Sequence, residues 1–405
     1  MSDPLVGYSV PAQHARWEAG QQLRCGGPRA LSRALQAVRA RTLALAGMYA
    51  QALGPAMAVP PRETLNPPRW ELGHVAWFQQ WWIERNPHRA RGFRADPLVP
   101  RPPSDLPEAD AWYDSGAVPH ATRWDLPLPP LASTLDWLGS TQARTLALLE
   151  GLPDDADDDA LYFFRLACLH EAMHVEAAAY MARSLGFLDP GTPDGQAGQC
   201  GPASLHLPAQ AWTTGWCGPG FAFDNELPAR RLSLDAFQID ADPVSWDRFA
   251  GFVEAGGYAN ARWWTAPGWA WRLRARPHAP TFPTGSEAAL HLSAHEAEAW
   301  CRWAGRRLPT EAEWECAAMT APGFRWGDCW EWTGSVFAPL PGFEPHPYLD
   351  YSQPWFRSRR VLKGASPWTP ACLAHPRFRN FYPPARCDIF AGFRSCAPAV
   401  DAPAV

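Results

Sequence analysis

The sequence predicts an α+β chain of more than one domain, a four-helix bundle followed by a loop-rich domain with short strands. Three observations carry this. At about 150 residues per domain, the 405 residues favour two or three domains. Residues 29–187 repeat apolar residues at helical spacing in four separate runs. Past a Gly/Pro-rich stretch at 189–204 (DPGTPDGQAGQCGPAS), short β-like runs alternate with Trp- and Gly-rich loops. The expected division is an N-terminal extension (1–28), the bundle (29–187), a linker (188–205), the second domain (206–398) and a C-terminal tail (399–405).

The helices can be justified in turn. Residues 31–53 are rich in Ala, Leu and Arg with apolar positions on one face. Pro67 and Pro68 suit the first turn of a second helix through Trp70, His74, Trp77 and Trp81. Loops rich in Pro and Asp fill 86–130, and a third helix runs over 131–149 with Ser133 or Thr134 near its cap. The acidic run 154–159 sits at the dipole-favoured start of a fourth helix, 160–185, which Gly186 ends. Four helices with one long crossover form a bundle, and bundles build metal sites from facing helices. In the second half, strands are expected in 229–239 and 360–363, and helices at 245–255, 291–303 and 311–318.

Composition excludes several functions. Hydrophobic residues make up 47% and charged residues 19%, a globular balance. With 36 Lys+Arg against 41 Asp+Glu the net charge is −5, and no basic stretch offsets it, so nucleic acid is not an expected partner. The first residues lack a signal-peptide core, and the most apolar stretch, 42–60, is broken by Gln51, Gly54 and Pro55. The expectation is a cytoplasmic protein with no membrane and no protein partner. Ten cysteines without a C-x-x-C pair read as free thiols, mostly buried. The 23 Trp and 44 Pro suggest loops held by aromatic packing.

The strongest chemical signal is HEAMHVE at 170–176. His170 and His174, four apart on one helix, lie one turn apart on the same face and can reach one ion. His74, in the Trp-rich run RWELGHVAWFQQWW, is the candidate third ligand, since a bundle brings that helix toward the fourth. Three neutral imidazoles with open positions suit an iron(II) that binds oxygen and substrate together, and zinc fits the same ligands. HEAMH also matches H-E-x-x-H, the zinc-peptidase helix with Glu171 as general base, but no third-ligand pattern follows it. Glu176 points away from the metal face.

These motifs resemble the ergothioneine-type sulfoxide synthases. The resemblance rests on H-x-x-x-H-x-E, on NPPRWELGHVAWFQ, and on GRRLPTEAEWECAA, WEWTGSVF, RVLKGAS and RNFYPPARCDIFAGFR in the second half. It implies a DinB-like four-helix bundle joined to a C-type-lectin-like, sulfatase-modifying (formylglycine-generating enzyme) domain. It further implies iron(II), Fe2+, on His74, His170 and His174, and oxidative attachment of sulfur or selenium to C2 of the imidazole of hercynine. The tyrosine that supplies a proton or hydrogen atom falls on Tyr348, with Tyr351 the second candidate. Asn380 and Phe381 match positions lining the hercynine pocket. A structural Ca2+ in the second domain is an open expectation.

The departures bear on the chalcogen donor. Where the γ-glutamylcysteine-using enzymes carry two arginines and an acidic residue, this chain aligns His120, Arg123 and Tyr382, and Met173 stands where Gln is frequent. A less charged pocket suits a neutral hydroxylated donor, and WFQQWW with YDSGAVPHATRW looks most like the selenoneine synthase branch, which uses a selenosugar. The sequence expectation is therefore C–Se bond formation. Its alternatives are the C–S version with cysteine or γ-glutamylcysteine, a zinc peptidase, and a non-catalytic binding module.

Overall fold

Caps and prolines open the bundle helices. A computed structural model describes residues 10–188, 198–276 and 281–398. A first helix, α1 (Val10–Cys25), precedes α2 (Pro28–Leu53), whose opening Pro28 occupies a first-turn position that needs no N–H partner. Next comes α3 (Pro68–Gln79), with Pro67 as its cap. It runs on into one π-helical turn, Gln80–Glu84, of the kind found at functional sites. A one-turn helix, α4 (Ala109–Tyr113), lies in the long crossover. Then α5 (Leu131–Glu150) and α6 (Asp158–Ser184) complete the bundle. The acidic start of α6 works as expected: the Asp157 side chain accepts from the Ala160 N–H at 2.8 Å. Gly186, at φ +85°, adopts the left-handed conformation that ends it.

Among the described residues the second half holds three small sheets. Strand β1 (Ser204–Leu207) pairs antiparallel with β4 (Phe237–Asp240), and β2 (Gln210–Thr214) with β3 (Arg230–Leu234). The largest sheet has the order β7-β6-β5-β8, from β5 (Cys329–Val336), β6 (Arg360–Ala365), β7 (Asn380–Tyr382) and β8 (Ala391–Gly392). Helices α7 (Trp246–Glu254), α8 (Ala266–Ala275), α9 (Ala294–Trp303) and α10 (Glu311–Thr320) pack around these strands. The mixed α+β, two-part architecture matches the sequence reading.

Two boundaries and one helix differ from it. Helix α1 lies in the stretch read as an extension. Arg24 locks it to the second half by donating to both Glu226 carboxylate oxygens at 2.8 and 2.7 Å. The end of the expected linker belongs to the second domain, because Ser204 opens β1 and the Cys200 N–H donates to Ser286 O at 2.7 Å. Residues 189–197 of that linker and the 399–405 tail lie outside the described residues. Helix α8 was not foreseen, because APGWAWRLRA shows no clear periodicity; its signal was Thr265, which caps Gly268 N at 3.0 Å.

One apolar cluster runs through both halves, joining Leu35, Trp77 and Phe163 of the bundle to Trp330, Phe223 and Leu373. All ten cysteines are free and seven are buried, as a chain without a disulfide framework should have them. Among the described residues, no helix is long and apolar enough to cross a membrane.

Candidate metal centre

Helices α3 and α6 bring His74, His170 and His174 to one point. The Nε2 atom of His170 lies 3.1 Å from that of His74 and 3.2 Å from that of His174. His74 is 2% exposed and His170 3%, so water scarcely reaches either ring. Behind them the second nitrogens are anchored. His74 Nδ1 faces the Tyr113 carbonyl at 2.7 Å, and His174 Nδ1 faces the Glu71 carboxylate. Both partners only accept, so each Nδ1 carries the hydrogen and each Nε2 presents a lone pair inward.

The electrostatics agree. Burial, reinforced by the nearby His174, pushes His74 down to about 3. Burial drives His170 well below the ordinary histidine range, with His174 and His74 adding to it. Burial pushes the Glu71 carboxyl up, but attraction and hydrogen bonding to His174 outweigh it and hold the group at about 2. His74 and His170 are thus neutral imidazoles, and an ionised carboxylate stands behind the His174 ring, an arrangement that orients metal-bound histidine.

A cation fits this set. Lone pairs about 3 Å apart repel unless a shared positive charge lies between them. With bonds of about 2.1 Å, nitrogens at right angles would stand about 3.0 Å apart and tetrahedral ones about 3.4 Å. The observed 3.1 and 3.2 Å fall between these two values and fit one shared ion. Among the described residues no other set of three or more His, Cys, Asp or Glu donors converges, and calcium finds no comparable set in the second half.

Glu171 does not belong to the site. Arg39 Nε and Nη2 donate to its carboxylate at 2.6 and 3.0 Å, and Thr42 Oγ1 donates at 2.7 Å, so it cannot serve as a peptidase base. Glu176 is turned away as expected, accepting from Trp330 Nε1 at 2.8 Å, Thr369 Oγ1 at 2.9 Å and the Ser366 hydroxyl.

The two tyrosines approach from the second half. The Tyr348 ring stands 6.2 Å from the His170 ring and 5.0 Å from Phe78, which itself stacks on His170 at 3.5 Å. Tyr351 stacks on Phe223 at 4.4 Å, and its hydroxyl lies 3.8 Å from Met173 Sδ. Burial raises both phenols above the ordinary tyrosine range, Asp350 adding to it for Tyr348 and Glu226 for Tyr351. Both therefore keep their protons.

Beside them opens a cleft of about 670 Å³ between the crossover and the second half, lined by His120, Arg123, Tyr348, Asp350, Tyr351 and Phe381. Arg123 lies 3.8 Å over the Trp70 ring, which stacks on His74 at 4.9 Å. His120 is committed, its Nε2 bonded to Leu65 O at 2.7 Å. Strand alternation divides the third group of predicted residues. Phe381 faces the cleft and stacks on Phe337 at 4.0 Å. Asn380 and Tyr382 point to the other side of β7, Tyr382 beneath the Arg386 guanidinium at 5.1 Å. Asn380 and Phe381 were expected to line one hercynine pocket, and the pleat turns their side chains to opposite sides of the strand.

Sequence reasoning missed Glu71, Tyr113, Phe78 and Asp350. Glu71 had a signal, since it precedes His74 by three and shares its helix face. Asp350 had one as well, standing between Tyr348 and Tyr351, whereas Tyr113 had none, because only the fold brings it near.

The sulfatase-modifying factor enzyme 1-like domain model matches residues 199–328. A hercynine oxygenase of Mycolicibacterium thermoresistibile is 32% identical over 400 residues, covering 82% of this chain and 87% of its own. That of Mycolicibacterium smegmatis is 31% identical over 401 residues, covering 82% and 90%. A formylglycine-generating enzyme of Bos taurus is 33% identical over 165 residues, covering 33% of this chain and 44% of its own.

Proposed function

The chain belongs to the hercynine oxygenase family, and from that premise we propose that it is an iron(II)-dependent oxidoreductase that joins the sulfur of a thiol donor to C2 of the hercynine imidazole as a sulfoxide. The observation that carries the reading is the convergence of three imidazoles, two of them buried and neutral, beside two protonated tyrosines. His74, His170 and His174 would hold the metal, and bound iron(II) supplies the one-electron chemistry that activates dioxygen. Glu71 and the Tyr113 carbonyl orient the imidazoles. Tyr348, nearest His170, keeps a proton at its hydroxyl for transfer in a site where the Phe78 and Trp82 rings exclude water. Tyr351 packs behind it at 5.7 Å and fixes its ring.

The cleft supports an amino-acid donor. Arg123 provides a cation, and Asp350 provides the carboxylate that the sequence comparison found missing at Tyr382. Together they match the two charges of a zwitterion such as cysteine or γ-glutamylcysteine. A selenosugar donor giving a C–Se bond is the second reading. It is favoured by His120 standing where a second arginine was expected, with its ring nitrogen already occupied.

The test is to load the protein with iron(II) anaerobically and add hercynine with cysteine, γ-glutamylcysteine or a selenosugar. Oxygen then starts the reaction and products are weighed by mass spectrometry. A hercynine–thiol sulfoxide is expected. Turnover with the selenosugar alone would shift the assignment to the second reading, and no oxygen-dependent loss of hercynine with any donor would overturn both.

A further inference from the structure

On the bundle side of His174, helices α2, α3 and α6 leave a cavity of about 30 Å³ that the chemistry above does not use. Its apolar wall comes from all three helices, including Ala46, Leu72, Val75 and Val175, each buried, and Met57 adds to it. His174 forms part of the same wall, so the space adjoins the imidazole cluster itself.

The polar groups on the wall are already engaged. Thr42 Oγ1 donates to Glu171 at 2.7 Å, Tyr49 Oη donates to Ala178 O at 2.7 Å, and Glu71 accepts from His174 Nδ1. What remains for a guest is chiefly the second carboxylate oxygen of Glu71. A buried water needs two to four partners, and cavities lined by apolar side chains stay dry and take up apolar guests such as xenon. On the size scale where one water needs about 10–15 Å³, this space admits a guest of two heavy atoms.

We infer that this cavity is a binding site for a small apolar gas, dioxygen in the working enzyme, held one side chain from the metal-ligating imidazoles. The dioxygen assignment rests on the oxygen-dependent reading above; the gas site itself does not. The guest would wait in a chiefly apolar compartment whose lining shares no residue with the cleft that receives the larger substrates, so that substrate binding and gas supply need not compete.

Xenon tests this without turnover. Crystals of the full chain under xenon pressure, with 129Xe NMR in solution, should show one xenon atom among Ala46, Val75 and Val175. Ala46→Phe fills the space and should abolish that xenon. In the iron-loaded enzyme it should also raise the KM for oxygen several-fold while leaving the KM for hercynine unchanged. Should Ala46→Phe fail to fold, Leu45→Ala enlarges the cavity and should raise xenon occupancy. Ordered water in the wild-type cavity, or no xenon there under pressure, overturns the site. An unchanged oxygen KM in an Ala46→Phe protein that has lost xenon overturns the delivery role. Xenon bound in a protein that never consumes hercynine would leave the gas site standing and sink the proposed reaction instead.

Discussion

The imidazoles at the centre take their chemistry from what stands behind them. Gly73 shows how closely this is built. A Cβ there would fall 2.2 Å from the Tyr113 ring, and Tyr113 supplies the carbonyl that orients His74. Gly73→Ala must therefore displace Tyr113, and metal affinity should fall about 10–100-fold, read by anaerobic iron(II) titration. Tyr348→Phe removes only a hydroxyl, so it should bind iron(II) as the wild type does while altering product distribution by mass spectrometry. The two ligands on α6 were legible because i,i+4 spacing fixes a common face. His74 was legible as a candidate, and its meeting with the other two had to come from the fold.

At the level of the element, α6 is a buried helix that carries polar groups on three faces. His170 and His174 face α3, Glu171 faces Arg39 on α2, and Glu176 faces the second half. Arg39 also donates to Leu138 O at 2.6 Å and Gln79 Oε1 at 2.8 Å, tying α2, α3, α5 and α6 together. Removing one partner of a buried ion pair leaves the other uncompensated, so Arg39→Ala should lower stability by about 3–5 kcal/mol in urea unfolding. The H-E-x-x-H pattern suggested a catalytic carboxylate at Glu171. Its role is structural, and no local pattern could have revealed this, since its partner lies 132 residues away.

In the molecule as a whole, the two halves share one core and several polar clamps. Tyr162 of α6 and His346 of the second half meet across the junction, Oη to Nδ1 at 3.0 Å. Burial lowers His346 to about 4, against about 6.5 in an unfolded chain. Between those values the unfolded state binds more protons, so stability is intact above pH 6.5 and declines as pH falls toward 4. Urea midpoints at pH 7.5 and 5 should show this decline, and His346→Asn should make it shallower; an identical slope in the variant would refute the assignment.

The sequence by itself determined the α+β class, the positions of the bundle helices, the paired histidines of α6 and the family likeness. Periodicity, caps and spacing act within a few turns, so the local string records them. Only the tertiary structure decided which carboxylate stands behind His174, which partner claims Glu171, that Asp350 and Arg123 line one cleft, and that Asn380 and Phe381 part to opposite sides of a strand. Those outcomes depend on chain segments brought together by burial of a common core, and no short stretch of residues encodes which distant groups that burial will make neighbours.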